Sequence, residues 1–169
     1  MSKDQSPSGK PVSASRITLS QLMHPEHANL LGNVHGGWIM KLADEAGALA
    51  CMRHSQQRVV TVVVDQLTFK HPIRIGDLVT IKAEVSYTGN TSMEAEVRVT
   101  AENPLSDLVT HTNTAYLVYV ALDEKGRSVT VPPIIPENER QKRRLEHAKA
   151  RQVYRLKHAR QVEQELIES

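Results

Sequence analysis

The chain has 169 residues, of which 40% are hydrophobic and 24% charged, a composition typical of a globular domain with its own core. No apolar run approaches the roughly 20 residues that cross a bilayer. The net charge of +2 comes without the aromatic platform or recognition motif of a nucleic-acid-binding protein. The single cysteine, Cys51, excludes an intrachain disulfide and is typical of a reducing cytoplasm, and its Ala-rich surroundings favour a core position over a nucleophile.

The first part of the chain predicts a tail, a strand and a buried helix. Residues 1–11 are polar and rich in Ser, Lys and Pro, and we expect them to form a disordered tail ahead of a domain over residues 12–131. Val12–Met23 alternates loosely between apolar and polar residues and predicts a first strand. Gly36–His54 is apolar on nearly every side, which is typical of a buried helix.

After this helix the pattern changes to that of β-strands. Gly89-Asn90 lies between two of the runs and predicts a hairpin. Because a helix that is apolar on all sides needs a sheet to cover it, the element order predicts an α+β domain. The four predicted strands are Arg58–Phe69, Leu78–Tyr87, Ser92–Glu102 and Leu108–Leu122.

The last segment, residues 132–169, begins with three prolines and continues as a charged helix predicted over Glu137–Glu168. From Glu137 onward it holds nine Lys or Arg and six Glu, so it has an excess of positive charge. Its densest basic cluster has two interpretations, a solvated helix face or a phosphate-binding patch. The members of this cluster are Arg140, Lys142, Arg143 and Arg144.

The start of the first helix carries the strongest chemical signal. The run Asn-Val-His-Gly-Gly-Trp over residues 33–38 opens the helix with two glycines, and free backbone N–H groups at such an end bind anions and polarise carbonyls. Asp44 follows as a carboxylate among apolar residues. An oxyanion site with a general base indicates acyl-transfer chemistry. The alternative is that Asp44 belongs to a solvated stripe with Lys41 and Glu45.

Three segments carry a resemblance to a known family. They are residues 32–47, which begin Gly-Asn-Val-His-Gly-Gly and contain Asp44, residues 65–77, which begin Asp-Gln-Leu-Thr-Phe-Lys-His-Pro, and residues 87–92, which read Tyr-Thr-Gly-Asn-Thr-Ser. With the strand order, they resemble the hotdog-fold acyl-CoA thioester hydrolases, which include cytosolic and brain acyl-CoA hydrolases and bacterial relatives. The resemblance implies an antiparallel sheet of five to six strands around one long central helix, with the charged C-terminal helix in addition.

The resemblance also implies roles for residues at the helix start. It makes Asn33 and Asp44 the catalytic pair and the backbone N–H of Gly37 the oxyanion donor. His35 and Gly36 are then expected to line the site. Dehydratases of this fold use a His as base, but within a different motif, so we expect His35 to contact substrate only.

The implied substrate is an acyl-CoA, and the products are a fatty acid and CoA. Since CoA carries three phosphate groups, cations are expected near the pocket. The histidines lack ligand spacing, so we expect neither a metal nor a cofactor. The residues expected to bind substrate, besides His35 and Gly36, are Arg58, Arg74, Asn90, Thr91, Ser92, Arg143 and Arg144.

A length estimate predicts that the site is shared between two chains. A helix rises about 1.5 Å per residue, so Gly37 and Asp44 lie roughly 10 Å apart, too far to serve one thioester. We therefore expect a homodimer as the minimal unit, with two sites, and assembly into a tetramer or hexamer. The alternative function is a non-catalytic acyl-CoA sensor, but no helix-turn-helix pattern precedes residue 30, and Asn33 and Asp44 are both present.

Overall fold

The structure is a computed structural model that describes residues 7–65, 67–106 and 108–168. Two short 3-10 helices, Val12–Ser15 and Pro25–His27, lie on either side of the strand Ile17–Leu22. None of the helices within these ranges is long and apolar enough to cross a membrane. The other elements are β1 (Lys10–Pro11), β2 (Ile17–Leu22), α1 (Gly36–Ser55), β3 (Arg58–Asp65), β4 (Leu78–Thr88), β5 (Ser92–Glu102), β6 (Val109–Leu122), β7 (Ile134–Ile135) and α2 (Glu139–Glu168).

Five strands form an antiparallel sheet in the order β2-β4-β5-β6-β3, with α1 packed on its inner face. Side chains alternate between the two faces of each strand. In β5 the polar residues Glu94, Glu96 and Arg98 occupy the outer face. The predicted hotdog architecture and the hairpin between β4 and β5 are confirmed. The β5 residues that enter the core with α1 are Met93, Ala95, Val97, Val99 and Ala101.

Helix α1 lies close to the sheet because small residues face it. A Cβ atom on Gly47 would stand 3.1 Å from the ring of Tyr119, so only glycine fits at this crossing. The helix ends one residue beyond the predicted end, where Gln56 adopts the left-handed backbone conformation with a φ of 56°. The small buried residues of α1 include Ala43, Ala46, Gly47 and Ala50.

The prediction for the N-terminal region was wrong in two respects. Lys10–Pro11, expected within the disordered tail, forms β1 and pairs in parallel with β7. Val12–Ser15 is a 3-10 helix and not the start of a strand, because Ser15 Oγ donates to the carbonyl of Val12 at 2.8 Å and accepts from the N–H of Val85 at 2.9 Å. These hydrogen bonds of Ser15 take the place of the ladder bonds of a strand. Residues 1–6 of the predicted tail lie outside the described residues.

Strand β3 ends at Asp65, four residues before the predicted end. The chain then crosses the end of the sheet, where Asn113 Nδ2 donates to the carbonyl of Thr68 at 2.5 Å and the N–H of Lys70 to the carbonyl of Thr112 at 3.3 Å. These bonds hold the segment 67–73 over the start of α1. The segment therefore covers the helix end and does not extend the sheet.

Helix α2 begins at Glu139, two residues after the predicted start. Asn138 is the reason, since its Oδ1 accepts the N–H of Gln141 at 3.0 Å as an N-cap does. The helix docks on the outer face of the sheet through ion pairs. Arg151 pairs with Glu94 at 2.7 Å, and Arg155 with the same carboxylate at 2.8 Å.

Candidate active site

Asp44 lies in the third turn of α1, half-buried between the helix and the sheet. Its Oδ1 accepts from Thr61 Oγ1 at 2.7 Å and from the Tyr119 hydroxyl at 3.2 Å. Lys41 pairs with Glu45 instead, at 2.5 Å, so the alternative placing Asp44 in their surface stripe is wrong. Oδ2 has no partner in the described part of the chain, which leaves one carboxylate oxygen free for chemistry.

Tyr119 was missed in the sequence because it is far from Asp44 in the chain. Burial, and next the negative charge of Asp44, raise the pKa of Tyr119 well above its usual range. Its hydroxyl therefore remains protonated and shares its one proton between the carboxylate and the backbone carbonyl of Asp44, the latter at 2.9 Å. Thr61 was missed for the same reason, although it lies on the strand that follows the helix.

An apolar cleft of about 220 Å³ opens beside Asp44. Lys41 at its edge and Asp44 itself are the charged groups that line it. A cleft of this kind accommodates a hydrocarbon group next to the free carboxylate oxygen. Its apolar lining consists of Met40, Ala43, Val64, Leu67, Ala115 and Leu117.

The helix start differs from the sequence prediction. His35 is the N-cap, and its Nδ1 accepts the N–H of Gly37 at 2.9 Å, so the Gly37 donor is occupied and not bare. The N–H of Trp38 bonds to the carbonyl of His35 at 2.9 Å. No described residue accepts from the N–H of Gly36, which is the free donor at this end. The sequence did not reveal the cap, because His is uncommon at that position.

A second cleft, of about 340 Å³, lies at this helix start and is lined by both Asn29 and Asn33. Asn29 Oδ1 accepts the N–H of Leu31 at 2.9 Å and that of Asn33 at 3.2 Å. Its Nδ2 group therefore remains as a donor with a fixed amide orientation. The side chain of Asn33 makes no hydrogen bond within the described residues. Phe69 packs over Gly36 in the same cleft, within 3.2 Å of where a Cβ would be.

The expected site residues separate into two groups at opposite ends of the sheet. Asn33 forms a β-bridge with Arg74, which precedes β4, and this group lies at the end where α1 begins. The two ends are separated by the length of β5, about 33 Å at 3.3 Å per residue. The residues of the first group are Asn33, His35, Gly36, Gly37 and Arg74.

The second group lies at the opposite end of the sheet, nearer to Asp44. Arg58 pairs in register with Leu122, and Ser92 with Val120. Asp44 bonds to Tyr119, whose partner in β5 is Met93, the neighbour of Ser92. Tyr119 thus joins Asp44 to the sheet near the hairpin, whereas the cleft beside Asp44 reaches Leu67 in the segment that crosses the helix start. This second group consists of Arg58, Asn90, Thr91 and Ser92.

The two α2 arginines among the expected residues lie apart from both groups. Arg144 pairs with Glu84, and with Glu96 at 2.7 Å, on the outer face of the sheet. Its guanidinium is therefore already engaged by protein carboxylates, an arrangement that sequence could not reveal because the three residues are distant in the chain. Arg143 is exposed and has no acidic partner among the described residues.

The positions of Cys51 and of the potential metal ligands can be described for most of the chain. Across residues 7–65, 67–106 and 108–168 no group of three or more His, Cys, Asp or Glu side chains is arranged to hold a metal ion. Cys51 is buried in the core, and this burial raises the pKa of its thiol far above the usual range. Its place in the core agrees with the sequence-based interpretation.

Comparison with known proteins identifies the family. Residues 31–106 match the thioesterase superfamily. The human cytosolic acyl coenzyme A thioester hydrolase is 39% identical over 148 residues, which make up 86% of this chain and 39% of the human protein. The chain therefore spans about two fifths of the length of that relative.

Solved structures agree with the sequence comparison. An apo-hexameric acyl-CoA thioesterase superposes with a TM-score of 0.87 at 38% identity, over 90% of this chain and 98% of that one. An acyl-CoA hydrolase from Staphylococcus aureus, solved with butyryl coenzyme A, coenzyme A and coenzyme A disulfide, has a TM-score of 0.84 at 32% identity, over 94% and 96% of the two chains.

The Staphylococcus aureus enzyme has also been solved as three single variants to Ala, one each of an Asp, an Asn and a Thr. The Asn lies 15 positions before the Asp, and the Thr 17 positions after it. Fold and sequence agree, and the chain belongs to the hotdog-fold thioesterase superfamily.

Proposed function

We propose that this chain hydrolyses acyl-CoA to a fatty acid and CoA, at sites shared between two copies of the chain. The observation that carries the proposal is the Asp44 carboxylate, held by Thr61 and Tyr119 beside an apolar cleft. Relatives named acyl-CoA thioester hydrolases, and a relative solved with butyryl coenzyme A, support the substrate class.

The chemistry requires a carboxylate and a donor for the carbonyl oxygen. Asp44 either removes a proton from the water that attacks the thioester carbon or attacks that carbon itself. In both routes the C–S bond breaks and CoA leaves as a thiolate. In the first route the thiolate takes the proton that Asp44 removed from water, and the fatty acid is released directly. In the second route a water then cleaves the mixed anhydride formed with Asp44, which releases the fatty acid, restores the carboxylate and supplies the proton for the thiolate. The donor stabilises the negative oxygen of the tetrahedral intermediate. The two hydroxyl bonds to Oδ1 leave Oδ2 as the reacting atom.

The asparagine of the site is better assigned to Asn29 than to Asn33. Asn29 lies 15 residues before Asp44 and Thr61 lies 17 after it, which are the spacings of the three residues varied in the Staphylococcus aureus enzyme. The amide of Asn29 is also oriented by two backbone bonds, whereas the Asn33 side chain has no hydrogen-bond partner in the described part of the chain. We assign Asn29 Nδ2 to the thioester carbonyl or the attacking water.

The oxyanion donor belongs to the helix start that carries Gly36 and Gly37. The N–H of Gly36 is free, and that of Gly37 becomes free when the His35 side chain turns away. We infer that this turn accompanies substrate binding. His35 then acts as a residue that lines the site and exposes the donor.

Two chains are needed to bring these groups together. The cleft with Asn29 and the cleft with Asp44 share no lining residue. Strand β3 is an edge strand, and its valines from Val60 to Val64 are between 37% and 52% exposed. An exposed apolar edge is a surface for pairing with another strand. A second copy of β3 is the occupant we propose, and hexameric relatives agree with self-assembly.

In such a dimer, the nucleotide and pantetheine of CoA bind near Asp44 of one chain. They contact Arg58 of that chain and its hairpin residues Asn90, Thr91 and Ser92. The backbone of the hairpin is fixed, since the carbonyl of Thr91 accepts from Ala121 at 3.0 Å and that of Asn90 from Val131 at 2.9 Å. Its side chains therefore stay available to substrate. Arg74 of the partner chain is placed beside the asparagine cleft, and exposed Arg143 is a further candidate for a phosphate.

The experiment that tests the function is a panel of acyl-CoA thioesters from butyryl to palmitoyl, followed by release of free thiol. We expect the parent to hydrolyse members of the panel and Asp44→Ala to lose hydrolysis while still binding CoA. Glu45→Ala, the exposed neighbour, is the matched control and should keep activity. Hydrolysis by Asp44→Ala at the parental rate would refute the assignment, and CoA binding without turnover by the parent would favour the acyl-CoA sensor.

A further inference from the structure

We propose that a second ligand site, for a phosphate-bearing anion, lies on the outer face of the sheet beside the start of α2. A groove of about 290 Å³ opens there between strands β2, β4 and β5 and the first turn of the helix. It shares no residue with the clefts at Asp44 and Asn29, so it is separate from the proposed catalytic site. The cations that line it are Arg16, Lys82, Arg98, Arg140 and Arg144.

The groove has more positive charge than its own carboxylates neutralise. Glu84 pairs with Arg16 at 2.8 Å, and Glu96 pairs with Arg98 at 2.6 Å. Arg144 lies between the two carboxylates and binds both. Two negative charges therefore face five positive ones, which leaves an excess of three.

Two of the cations have no acidic partner within the described ranges. Lys82 on β4 and Arg140 on α2 are exposed and form no ion pair there. They approach the groove from opposite sides, one from the sheet and one from the helix. An anion between them would be bound from both sides.

The register of the sheet adds an independent observation. Lys82 lies directly opposite Arg98 on the neighbouring antiparallel strand, and both side chains occupy the outer face. Like charges at directly opposed positions destabilise a sheet. Glu96 pairs with Arg98, but no carboxylate of the described residues pairs with Lys82, so a bound anion would balance the charge of Lys82.

The chemistry of the lining favours phosphate. Arginine binds phosphate through two parallel N–H bonds, and an excess of about three charges matches a diphosphate or a phosphate monoester next to a diphosphate. Two sources carry this chemistry, a free diphosphate compound and the phosphorylated end of a CoA molecule held by a neighbouring copy. The shared feature is the phosphate group, and the experiment distinguishes the sources.

Calorimetric titration with inorganic pyrophosphate tests the site without any turnover, so the result is independent of hydrolysis. We expect the parent to bind and the double variant Lys82→Gln/Arg140→Gln to bind at least about tenfold more weakly, because two charge-assisted bonds are lost. Lys157→Gln, an exposed cation of α2 outside the groove, is the control and should bind as the parent does. An equal Kd in the double variant, or no binding by the parent, would overturn the proposal.

Thermal unfolding supplies a second readout. Removing the like-charge pair with Lys82→Gln should raise the Tm of the unliganded protein and reduce the increase in Tm that pyrophosphate causes. An unchanged pyrophosphate-induced increase in this variant would contradict the site. Titration with CoA and dephospho-CoA then assigns the source. Weaker binding of CoA alone by the double variant indicates the 3′-phosphate of CoA, weaker binding of both compounds indicates the diphosphate of CoA, and unchanged binding of both indicates a free diphosphate.

Discussion

The Asp44 carboxylate is held by two hydroxyl groups that come from different strands, Thr61 on β3 and Tyr119 on β6. Both donate to the same oxygen, which fixes the rotation of the carboxylate and leaves the other oxygen to react. Hydrogen bonds to charged groups contribute about 1.5–3 kcal/mol each. The orientation of Asp44 therefore depends on residues that never touch the substrate in the proposed mechanism.

We expect Thr61→Val to lower kcat for butyryl-CoA by about ten- to 150-fold, with KM nearly unchanged, because the carboxylate loses its shorter hydrogen bond. Steady-state kinetics across the acyl-CoA panel measures this. Thr100→Val is the matched control, since Thr100 bonds to the carbonyl of Thr80 on the outer face. A parental kcat in Thr61→Val would show that Asp44 needs no such support.

The two asparagines of the helix-start cleft can be separated by substitution to Asp. Asn29→Asp keeps the oxygen that accepts from Leu31 and Asn33 but removes the amide donor. We expect kcat to fall by about 100-fold or more, the usual loss for an oxyanion donor. Asn33→Asp makes the same chemical change in the same cleft, and its kcat should fall by less than about tenfold. A larger loss of kcat in Asn33→Asp than in Asn29→Asp would assign the donor role to Asn33.

At the level of secondary structure, the sequence allowed the buried helix and four sheet strands to be predicted, since their apolar periodicity is strong. Gly36–His54 differs from the observed helix by one residue, and the hairpin at Gly89-Asn90 is present. The features that were not predicted depend on contacts between residues distant in the chain. The pairing of Lys10–Pro11 with β7, the cap by His35 and the ion pairs of Arg144 have no local signal.

Some residues of the candidate site could be identified in the sequence, and others could not. Asp44 and the glycines were identifiable because they break the apolar pattern of a helix at its start and middle. Thr61 and Tyr119 could not be identified, because a Thr or Tyr in a strand is ordinary until the fold places it against a carboxylate. From the rise of the helix the sequence also predicts that Gly37 and Asp44 serve different sites, and this stays a prediction.

The last turn of α1 carries a buried group that makes stability depend on pH. His54 Nε2 lies 2.8 Å from the carbonyl of Pro132, and Lys10 Nζ donates to the carbonyl of His54 at 2.7 Å. Burial lowers the pKa of His54 below its ordinary value of 6.5; the bond to Pro132 opposes this shift, and the charge of Lys10 adds to it. As the pH falls through about 6.5, His54 therefore takes up a proton in the unfolded chain, whereas in the folded chain it does so only at a lower pH.

Because the unfolded state gains that proton, the free energy of unfolding should decrease as the pH falls below about 6.5, by at most about 1.4 kcal/mol per pH unit from this group. Urea unfolding between about pH 7.5 and 5.5 measures the slope, and it should be shallower in His54→Gln. His147→Gln, an exposed His of α2, is the control and should keep the parental slope. Parallel slopes in all three proteins would mean that His54 does not titrate differently on folding.

Considered as a whole, the described part of the chain has two clefts that carry the proposed catalytic groups, and an edge strand with exposed valines. The asparagine cleft lies at the start of α1, the Asp44 cleft lies further along that helix, and β3 lies at the edge of the sheet. A two-fold axis through paired β3 strands places the ends of one chain against the opposite ends of the other. The assembly then explains why an apolar edge and two incomplete clefts occur together.

Complementation between inactive variants tests this sharing directly. Mixing Asp44→Ala with Asn29→Asp under conditions of subunit exchange produces heterodimers in which one of the two sites holds both parental residues. Random pairing makes half of the dimers mixed, so the specific activity should recover to about a quarter of the parental value. Asp44→Ala mixed with Thr61→Val is the control, since Thr61 and Asp44 bond within one chain and no site is restored. No recovery in the first mixture would place the whole site in a single chain, and the exposed valines of β3 would then need a different partner.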